Sequence, residues 1–250
     1  KREIPTFLNF GESSPWRYDD CYGKNKWIQQ LDRFAGIITV SKQNQKYLIE
    51  KAPQLEEKIR YIPNGVDTSL FHPLDRKVCR KKLNLPVNEK IVIFCGHFIE
   101  RKGPLRVQEA VRQIGIKSVF LGSGLQRPTG YDVLFCGSIA NDDLPLWLNA
   151  ADVFVLPSLF EGMSNAILEA MACGLPLVVS DREFNREYLN PDCAVFVDPQ
   201  CPVDISRGIK VCLNPTRKKS MKVECLKLIQ QFSLEKRIKN IFSFVEEMRR

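Results

Sequence analysis

Residues 152–176 read DVFVLPSLFEGMSNAILEAMACGLP. The first five residues form a nearly continuous apolar run, which is typical of a strand covered on both faces of a parallel sheet. After a short loop, an apolar stretch predicts a helix that begins at Ser164 or Asn165, because both residue types are good helix N-caps. Gly174 and Pro176 are signals for the end of that helix. This strand–loop–helix unit indicates an α/β fold.

The same alternation continues along the rest of the chain, where short runs rich in Val, Ile and Phe separate helical patterns. Such alternation predicts right-handed βαβ units around a parallel sheet. The predicted strands are Pro5–Phe10, Gly36–Val40, Ile59–Ile62, Lys90–Cys95, Ile116–Leu121, Tyr131–Phe135, Asp152–Leu156, Leu175–Val179 and Ala194–Val197. The predicted helices include Leu105–Ile114, Leu144–Ala150, Asn165–Cys173 and Val203–Leu213.

The clearest break in the chain is Pro-Asn-Gly-Val-Asp at residues 63–67, since Pro and Asn-Gly mark turns. Three predicted strands precede it, too few for a complete doubly wound domain, and six follow it. We therefore divide the chain into a partial domain (1–66), a parallel-sheet domain (67–233) and a final helix (234–250). That helix carries one apolar face, which we expect to pack on the first part.

Composition excludes several classes of protein. The chain has 250 residues, 44% hydrophobic and 26% charged, which is ordinary for a globular protein and excludes a disordered chain. No apolar run has the ~20 residues of a membrane span, and no signal peptide opens the chain. Residue 1 is Lys, so we expect a fragment or a processed form. Nine cysteines without C-x-x-C spacing, and no N-glycosylation acceptor, favour a reducing, cytosolic compartment.

The net charge of +8 lies in the C-terminal region. Residues 206–250 hold twelve basic and four acidic residues, whereas the rest of the chain is balanced. One interpretation is attraction to a membrane surface, nucleic acid or an anionic partner; the other, which we favour, is a solvated helix face. Because no aromatics interleave with the basic residues, a nucleic-acid partner is not expected.

Ligands bind open parallel sheets at the carboxyl ends of the strands, so the loops there are the candidate sites. The loop after Lys90–Cys95 contains Gly96, which allows the chain to turn close to a ligand. Arg101 and Lys102 follow near a helix start, where the helix dipole already favours anions. Two cations there suit a diphosphate, although a solvated basic loop explains the same residues equally well.

Two other loops carry weaker signals. Gly122-Ser123-Gly124 and Cys136-Gly137-Ser138 each follow a predicted strand, and a plain turn is the favoured interpretation of both. The backbone of the second loop could also meet a flat base. Glu161 and Glu169 lie before and within the helix of the opening segment. A carboxylate there can accept two hydrogen bonds from vicinal hydroxyls, as the acid of dinucleotide folds does with ribose.

Together these segments resemble one known family. Glu161–Glu169 resembles the E-x7-E motif of retaining glycosyltransferases with the GT-B fold, and residues 64–181 are similar to the nucleotide-sugar-binding domain of glycosyltransferase family 4 (glycosyl transferases group 1). Residues 27–62 resemble the end of the family's N-terminal, acceptor-side domain. The remaining matching motifs lie at residues 63–67, 101–103, 122–124, 151–158 and 161–176. The resemblance implies a GT-B fold, with a Rossmann-like parallel-sheet domain and a partial second α/β domain.

The resemblance also implies a role for each candidate residue. Lys102, with Arg101 nearby, would neutralise the donor diphosphate, Glu169 would bind the ribose, and Glu161 would contact sugar hydroxyls as the catalytic candidate. The backbone after Glu161 would lie near sugar and phosphate, and the loop 135–138 would line the base. The full candidate set is Gly96, His97, Arg101, Lys102, Cys136, Gly137, Ser138, Glu161, Gly162, Met163, Ser164, Asn165 and Glu169.

The implied activity is transfer of a sugar, hexosyltransferase-like, from a UDP- or GDP-sugar to a glycan or lipid-linked acceptor. Retention of anomeric configuration, by same-face attack, is the family expectation. No cofactor or metal is expected, since no D-x-D metal motif occurs and fixed cations with a helix dipole can stabilise the leaving diphosphate. The expected location is the cytoplasm, with peripheral association at the inner face of a membrane through the basic C-terminal region as a further option.

The chain departs from the family in two places. His97 stands where the family typically has Arg, and Leu8–Glu12 lacks a His that many members carry near the reacting carbon. Most of the family's N-terminal domain would precede residue 1. A truncated, non-catalytic nucleotide-sugar-binding module therefore stays open as the alternative, and a sugar-nucleotide epimerase on the same fold explains fewer of the motifs.

Overall fold

The computed structural model describes residues 6–11 and 26–249. Pro5, Glu12 and Cys21 lie outside these ranges. The described residues form two compact units. The smaller unit takes its described residues from the ranges Lys1–Gly65, Phe160–Ser164 and Phe232–Arg250, and the larger unit consists of Val66–Leu159 and Asn165–Gln231.

The nine predicted strands are all confirmed, with small shifts at their ends. The strands are β1 (Phe7–Phe10), β2 (Gly36–Thr39), β3 (Ile59–Tyr61), β4 (Ile91–Cys95), β5 (Lys117–Leu121), β6 (Val133–Gly137), β7 (Val153–Leu156), β8 (Leu177–Ser180) and β9 (Ala194–Val197). The helices are α1 (Ile28–Leu31), α2 (Lys42–Lys51), α3 (Arg76–Lys82), α4 (Pro104–Gln113), α5 (Leu144–Ala150), α6 (Asn165–Ala172), α7 (Glu183–Arg186), α8 (Pro202–Leu213), α9 (Pro215–Leu228) and α10 (Leu234–Glu247). Short 3₁₀ helices lie at Pro53–Lys58, Asn141–Asp143 and Ile229–Phe232.

The smaller unit is built on a parallel three-stranded sheet in the order β1-β2-β3. Successive side chains of a strand point to opposite faces, and Ile37 and Ile38 show this directly. Ile37 belongs to a core cluster with Trp27 and Leu48. Ile38 packs on the other face with Phe244 of α10. The final helix therefore covers the second face of this sheet.

The larger unit is built on a parallel six-stranded sheet in the order β6-β5-β4-β7-β8-β9. The central strands β4 and β7 pair through Val92 with Val153 and Ile93 with Phe154, and all four of these side chains are fully buried. The chain builds outward from β4 in one direction and from β7 in the other. The strand order therefore reverses between β4 and β7, which is the point where sheets of this kind bind ligands.

One boundary differs in a way that affects the candidate site. The sequence predicted a strand at Tyr131–Phe135 followed by a turn at 136–138, whereas β6 runs from Val133 to Gly137. The register between β5 and β6 shifts at Ser118 and Val119, which carries the pairing on to Leu121 with Gly137. The prediction that Cys136 and Gly137 lie in a loop was therefore wrong; both lie at the end of the strand.

A buried ion cluster fixes the amino edge of the six-stranded sheet. The Asp152 carboxylate is 1% exposed. Its Oδ2 accepts hydrogen bonds from the backbone N–H of Ile91 at 2.9 Å and from Arg80 at 2.8 Å. Its Oδ1 accepts from Lys218 at 2.6 Å and from Arg76. A buried charge is tolerated only when it is paired in this way, so Asp152 holds the start of β4 against the start of β7.

Candidate functional site

Two loops meet at the reversal point of the six-stranded sheet. One follows β4 and leads into α4; the other follows β7. The backbone N–H of Leu159 in the second loop donates to the carbonyl of Arg101 in the first at 2.8 Å. Arg106 donates to the carbonyl of Pro157 at 3.4 Å and pairs with Glu100. The loops are therefore joined into one wall at the carboxyl edge of the sheet.

A cleft of about 330 Å³ opens beside this wall, at the carboxyl ends of β4, β5 and β6. Its lining contains the predicted site residues Gly96, His97 and Ser138. It also contains residues that the sequence did not single out as ligand contacts: Cys95, Leu121, Gly122, Ser123, Ile139, Ala140, Asn141 and Leu144. We call this the carboxyl-edge cleft. Its volume is at the lower end of the range for small-molecule sites.

Gly122 is required for the shape of the carboxyl-edge cleft. Its φ is +145°, and a Cβ at this position would overlap the carbonyl oxygen of Gly96. Backbone hydrogen bonds hold the two loops this close, from Gly96 N–H to Leu121 and from Phe98 N–H to Ser123 at 2.7 Å. Interpreting Gly122-Ser123-Gly124 as a plain turn was therefore incomplete, because the turn also forms a wall of the cleft.

Lys102 and Glu169 lie near the same point of this edge. The pKa of the Cys95 thiol is raised to about 12, mainly by burial and further by the nearby Glu169 carboxylate, against the lowering effect of the Lys102 ammonium. Both charges therefore act on one side chain at the end of β4. The stem of Lys102 also passes Gly96, since its Cδ would lie 3.7 Å from a Cβ built there. The side chains predicted to bind the diphosphate and the ribose, Lys102 and Glu169, therefore lie near the same strand end.

Glu169 has the electrostatics of a group suited to a ligand. Its side chain is half-buried on α6, and burial alone raises its pKa above the ordinary value. A carboxylate that has lost water without a compensating cation keeps acceptor capacity for a polar ligand. Vicinal hydroxyls would supply the hydrogen bonds that burial has removed.

Four predicted site residues belong to the smaller unit: Glu161, Gly162, Met163 and Ser164. Met163 explains their placement. Its carbonyl accepts a hydrogen bond from the Asn64 side chain at 3.0 Å, and its sulfur accepts one from the Asn64 backbone N–H at 3.3 Å. The sequence division assigned this segment to residues 67–233, whereas these bonds tie it to the turn at residues 63–67.

The remaining predicted residues lie in the larger unit. Arg101 and Lys102 are half-buried, His97 and Asn165 are exposed, and Cys136 and Gly137 end β6. Arg127 donates to the Cys136 carbonyl at 2.5 Å, and the Ser138 hydroxyl lies 3.4 Å from the Gly122 carbonyl. Sequence reasoning missed Asn141 and Leu144 as lining residues, although their position just after a predicted strand could have indicated them.

Neither a metal cluster nor a membrane-spanning helix occurs in the described part of the chain. Within residues 6–11 and 26–249, no three His, Cys, Asp or Glu side chains converge in a way that could hold a metal ion. Over the same residues, no helix combines the length and hydropathy that crossing a bilayer requires.

A family model described as glycosyl transferases group 1 matches residues 89–215, about half of the chain. This chain belongs to the glycosyl transferases group 1 family. The matched region contains Lys102, Glu161 and Glu169, together with the loops that form the carboxyl-edge cleft. Membership in this family agrees with the resemblance found in the sequence motifs.

Individual glycosyltransferases are similar to parts of this chain in sequence. TuaC of Bacillus subtilis (strain 168) is 32% identical over 48% of this chain and 32% of its own length. The D-inositol 3-phosphate glycosyltransferase of Mycobacterium bovis (strain BCG / Pasteur 1173P2) is 29% identical over 63% of this chain and 36% of its own. The chain thus spans about a third of the length of these relatives.

Sucrose-phosphate synthase from Thermosynechococcus elongatus superposes with a TM-score of 0.85 at 24% identity, over 97% of this chain and 67% of that one. Anabaena HepE, solved with UDP and glucose, superposes with a TM-score of 0.84 at 19% identity, over 97% of this chain and 71% of that one. This glycosyltransferase chain therefore has the α/β fold of the GT-B type that the sequence predicted.

Proposed function

We propose that this chain is the donor-binding part of a retaining, metal-independent glycosyltransferase that takes its sugar from a UDP- or GDP-sugar. The observation that carries the proposal is that Lys102 and Glu169 both lie close enough to Cys95 to affect its thiol, at the end of β4 where the strand order of the six-stranded sheet reverses. A cation for the diphosphate and a carboxylate for the ribose are the two charged groups that such a donor needs.

Family membership supports a transferase over a module that only binds. HepE, which shares the fold, has been solved with UDP-glucose. In the proposed complex, the diphosphate lies by Lys102 and the α4 start, with Arg101 nearby, and the ribose lies by Glu169. The base enters the carboxyl-edge cleft beside Gly137 and Ser138. Glu161 takes the role that the family resemblance gives it, contact with the hydroxyls of the sugar.

The chemistry breaks the bond between the anomeric carbon and the diphosphate oxygen and forms one to an acceptor hydroxyl oxygen on the same face. The acceptor proton passes to the departing diphosphate. Negative charge grows on that leaving group, so the Lys102 ammonium binds it more strongly in the transition state than in the ground state. A glycan or lipid-linked acceptor and a cytoplasmic location complete the proposal.

The direct test is calorimetry with UDP, GDP and ADP on the chain and on its Lys102→Ala variant. We expect one diphosphate to bind clearly best, and Lys102→Ala to weaken it by about ten- to a hundredfold, because hydrogen bonds to charged groups contribute about 1.5–3 kcal/mol. Lys117→Ala, at the amino end of β5, removes the same charge and serves as the matched control.

Donor hydrolysis and transfer are then measured with the full-length protein, as release of sugar from the matching donor. Nucleotide binding without any release or transfer would favour the binding-only module instead. Equal diphosphate affinity in the wild type and in Lys102→Ala would remove the proposed site.

A further inference from the structure

A second cleft, of about 350 Å³, lies at the opposite, amino edge of the six-stranded sheet. Its walls come from the residues just before β7 and β8, from the first turn of α3 and from one side of α9. We call it the amino-edge cleft. Because the donor would bind at the carboxyl edge, this cleft has no part in the proposed transfer.

The lining of the amino-edge cleft is strongly cationic. Arg76 and Lys77 contribute from α3, and Lys218 and Lys222 contribute from α9. One lining carboxylate, Asp75, opposes these four charges. Its Oδ1 already accepts the backbone N–H of Val78 at 2.9 Å as the N-cap of α3. The lining therefore carries a clear excess of positive charge.

The buried carboxylate behind the cleft does not neutralise this excess. Asp152 is already shared among Arg80, Arg76 and Lys218, so one negative charge faces three positive ones. The Arg80 guanidinium is 1% exposed and is fully occupied by Asp152 and backbone carbonyls, including Ala150 at 2.7 Å. Arg76 and Lys218, which are 41% and 25% exposed, face the cleft with charge that Asp152 cannot balance.

The titration of Lys218 reflects the same imbalance. Burial lowers the pKa of Lys218, and Arg76 and Lys90 lower it further, against the opposing effect of Asp152. An anion in the cleft would offset the repulsion between these cations.

Lys222 also lines the amino-edge cleft. Its aliphatic stem lies over Gly174, since a Cβ on that glycine would meet the Lys222 Cγ at 3.1 Å and Cε at 3.2 Å. The stem therefore runs along the part of the cleft wall that Gly174 forms, and the ammonium stays exposed to a ligand.

We propose that the amino-edge cleft binds the phosphate group of a small phosphorylated metabolite, with Arg76, Lys77, Lys218 and Lys222 as its cationic partners. Arg offers a planar fork that fits phosphate oxygens, and Lys supplies mobile point charges around it. The volume exceeds what a bare phosphate needs and suits a molecule of the size of a sugar monophosphate.

The test is calorimetry with inorganic phosphate and with glucose 1-phosphate at low ionic strength. All measurements use the Lys102→Ala background, so that binding at the carboxyl edge is weakened and the result does not depend on the proposed transferase. The test variant is Lys77→Ala with Lys222→Ala. Both side chains are exposed, and neither contacts Asp152 among the described residues. Lys219→Ala with Lys227→Ala removes the same charge from exposed positions of α9 and is the control.

We expect glucose 1-phosphate to bind at least as tightly as inorganic phosphate. The test pair should weaken both at least tenfold, and the control pair less than twofold. Equal losses in the two pairs would show a general charge effect and overturn the site, as would absence of binding in the Lys102→Ala background. Binding of inorganic phosphate alone would overturn the metabolite assignment.

Discussion

The two edges of the six-stranded sheet each hold a carboxylate that has lost water through burial, yet the two carboxylates are in opposite states. At the amino edge, burial raises the pKa of Asp152, but Lys218, the Ile91 N–H and Arg76 together hold it below the ordinary value. At the carboxyl edge, burial alone raises the pKa of Glu169. The Asp152 carboxylate is saturated with hydrogen bonds from the protein itself, whereas the Glu169 carboxylate retains its capacity to accept hydrogen bonds.

This difference separates a structural charge from one suited to a ligand. A saturated carboxylate such as Asp152 has no acceptor left to offer, and its removal exposes the cations that it neutralises. A desolvated carboxylate such as Glu169 costs stability in the empty protein, which is typical of functional sites. At the amino edge, the ligand-binding capacity lies instead with the cations that Asp152 cannot balance.

The largest expected effect comes from Asp152→Asn. Removal of this charge leaves Arg80 buried without a counter-ion, and we expect a loss of about 3–5 kcal/mol in the free energy of unfolding. Urea denaturation measures it. Asp181→Asn is the control, because its ion pair with Arg186 is about half exposed and screened by solvent, so its loss should cost far less than the loss of Asp152. Similar losses in the two variants would mean that Asp152 is not the structural charge inferred here.

Gly122→Ala should have the next largest effect on stability. The new Cβ must avoid the Gly96 carbonyl and adopt a φ of +145°, so we expect a loss of about 3 kcal/mol and weaker nucleotide binding. Gly115→Ala is the matched control: its φ is also positive, at +65°, but the space around it is open. That variant should lose only about 1 kcal/mol. Equal losses would show that the close approach of the two loops is not what constrains position 122.

The smallest expected effect has the opposite sign. Glu169→Gln should raise stability at pH 7 by about 0.5–1 kcal/mol, because it removes a desolvated charge. The pKa of Glu169 in the folded state is raised above the ordinary value of 4.5, so the charge costs its full amount of stability above the folded-state pKa. This cost shrinks as the pH falls from there towards 4.5 and disappears below 4.5, where the carboxyl is protonated in both states; the gain from Glu169→Gln should follow the same course. Thermal unfolding from pH 4 to pH 8 measures this, with the exposed Glu109→Gln as control. A pH-independent gain would contradict the assigned cause.

Much of the fold could be predicted because its signals are local. Apolar runs such as Ile91–Cys95 and Val153–Leu156 mark buried strands, and the turn at residues 63–67 separates three strands from six. The end of β6 could not be predicted, because a shift in its register against β5 decides where it ends. The register between two strands depends on both segments and cannot be deduced from the sequence of one.

The candidate site was predictable only in part for a similar reason. Lys102 stands out in the loop after one predicted strand and Glu169 in the helix after another, and in the structure both affect the Cys95 thiol. The bond between Asn64 and Met163, which ties residues 160–164 to a turn about a hundred positions earlier, has no local signature. The same holds for the amino-edge cleft, since its four cations come from helices far apart in sequence.

The central claim is that Lys102 and Glu169 serve the diphosphate and the ribose of one nucleotide. Calorimetry with the preferred nucleoside diphosphate and with its parent nucleoside, on Lys102→Ala and Glu169→Ala, tests it most directly. We predict that Lys102→Ala weakens the diphosphate at least tenfold and leaves the nucleoside unchanged, whereas Glu169→Ala weakens both. Unchanged affinity for the diphosphate in both variants would contradict the claim.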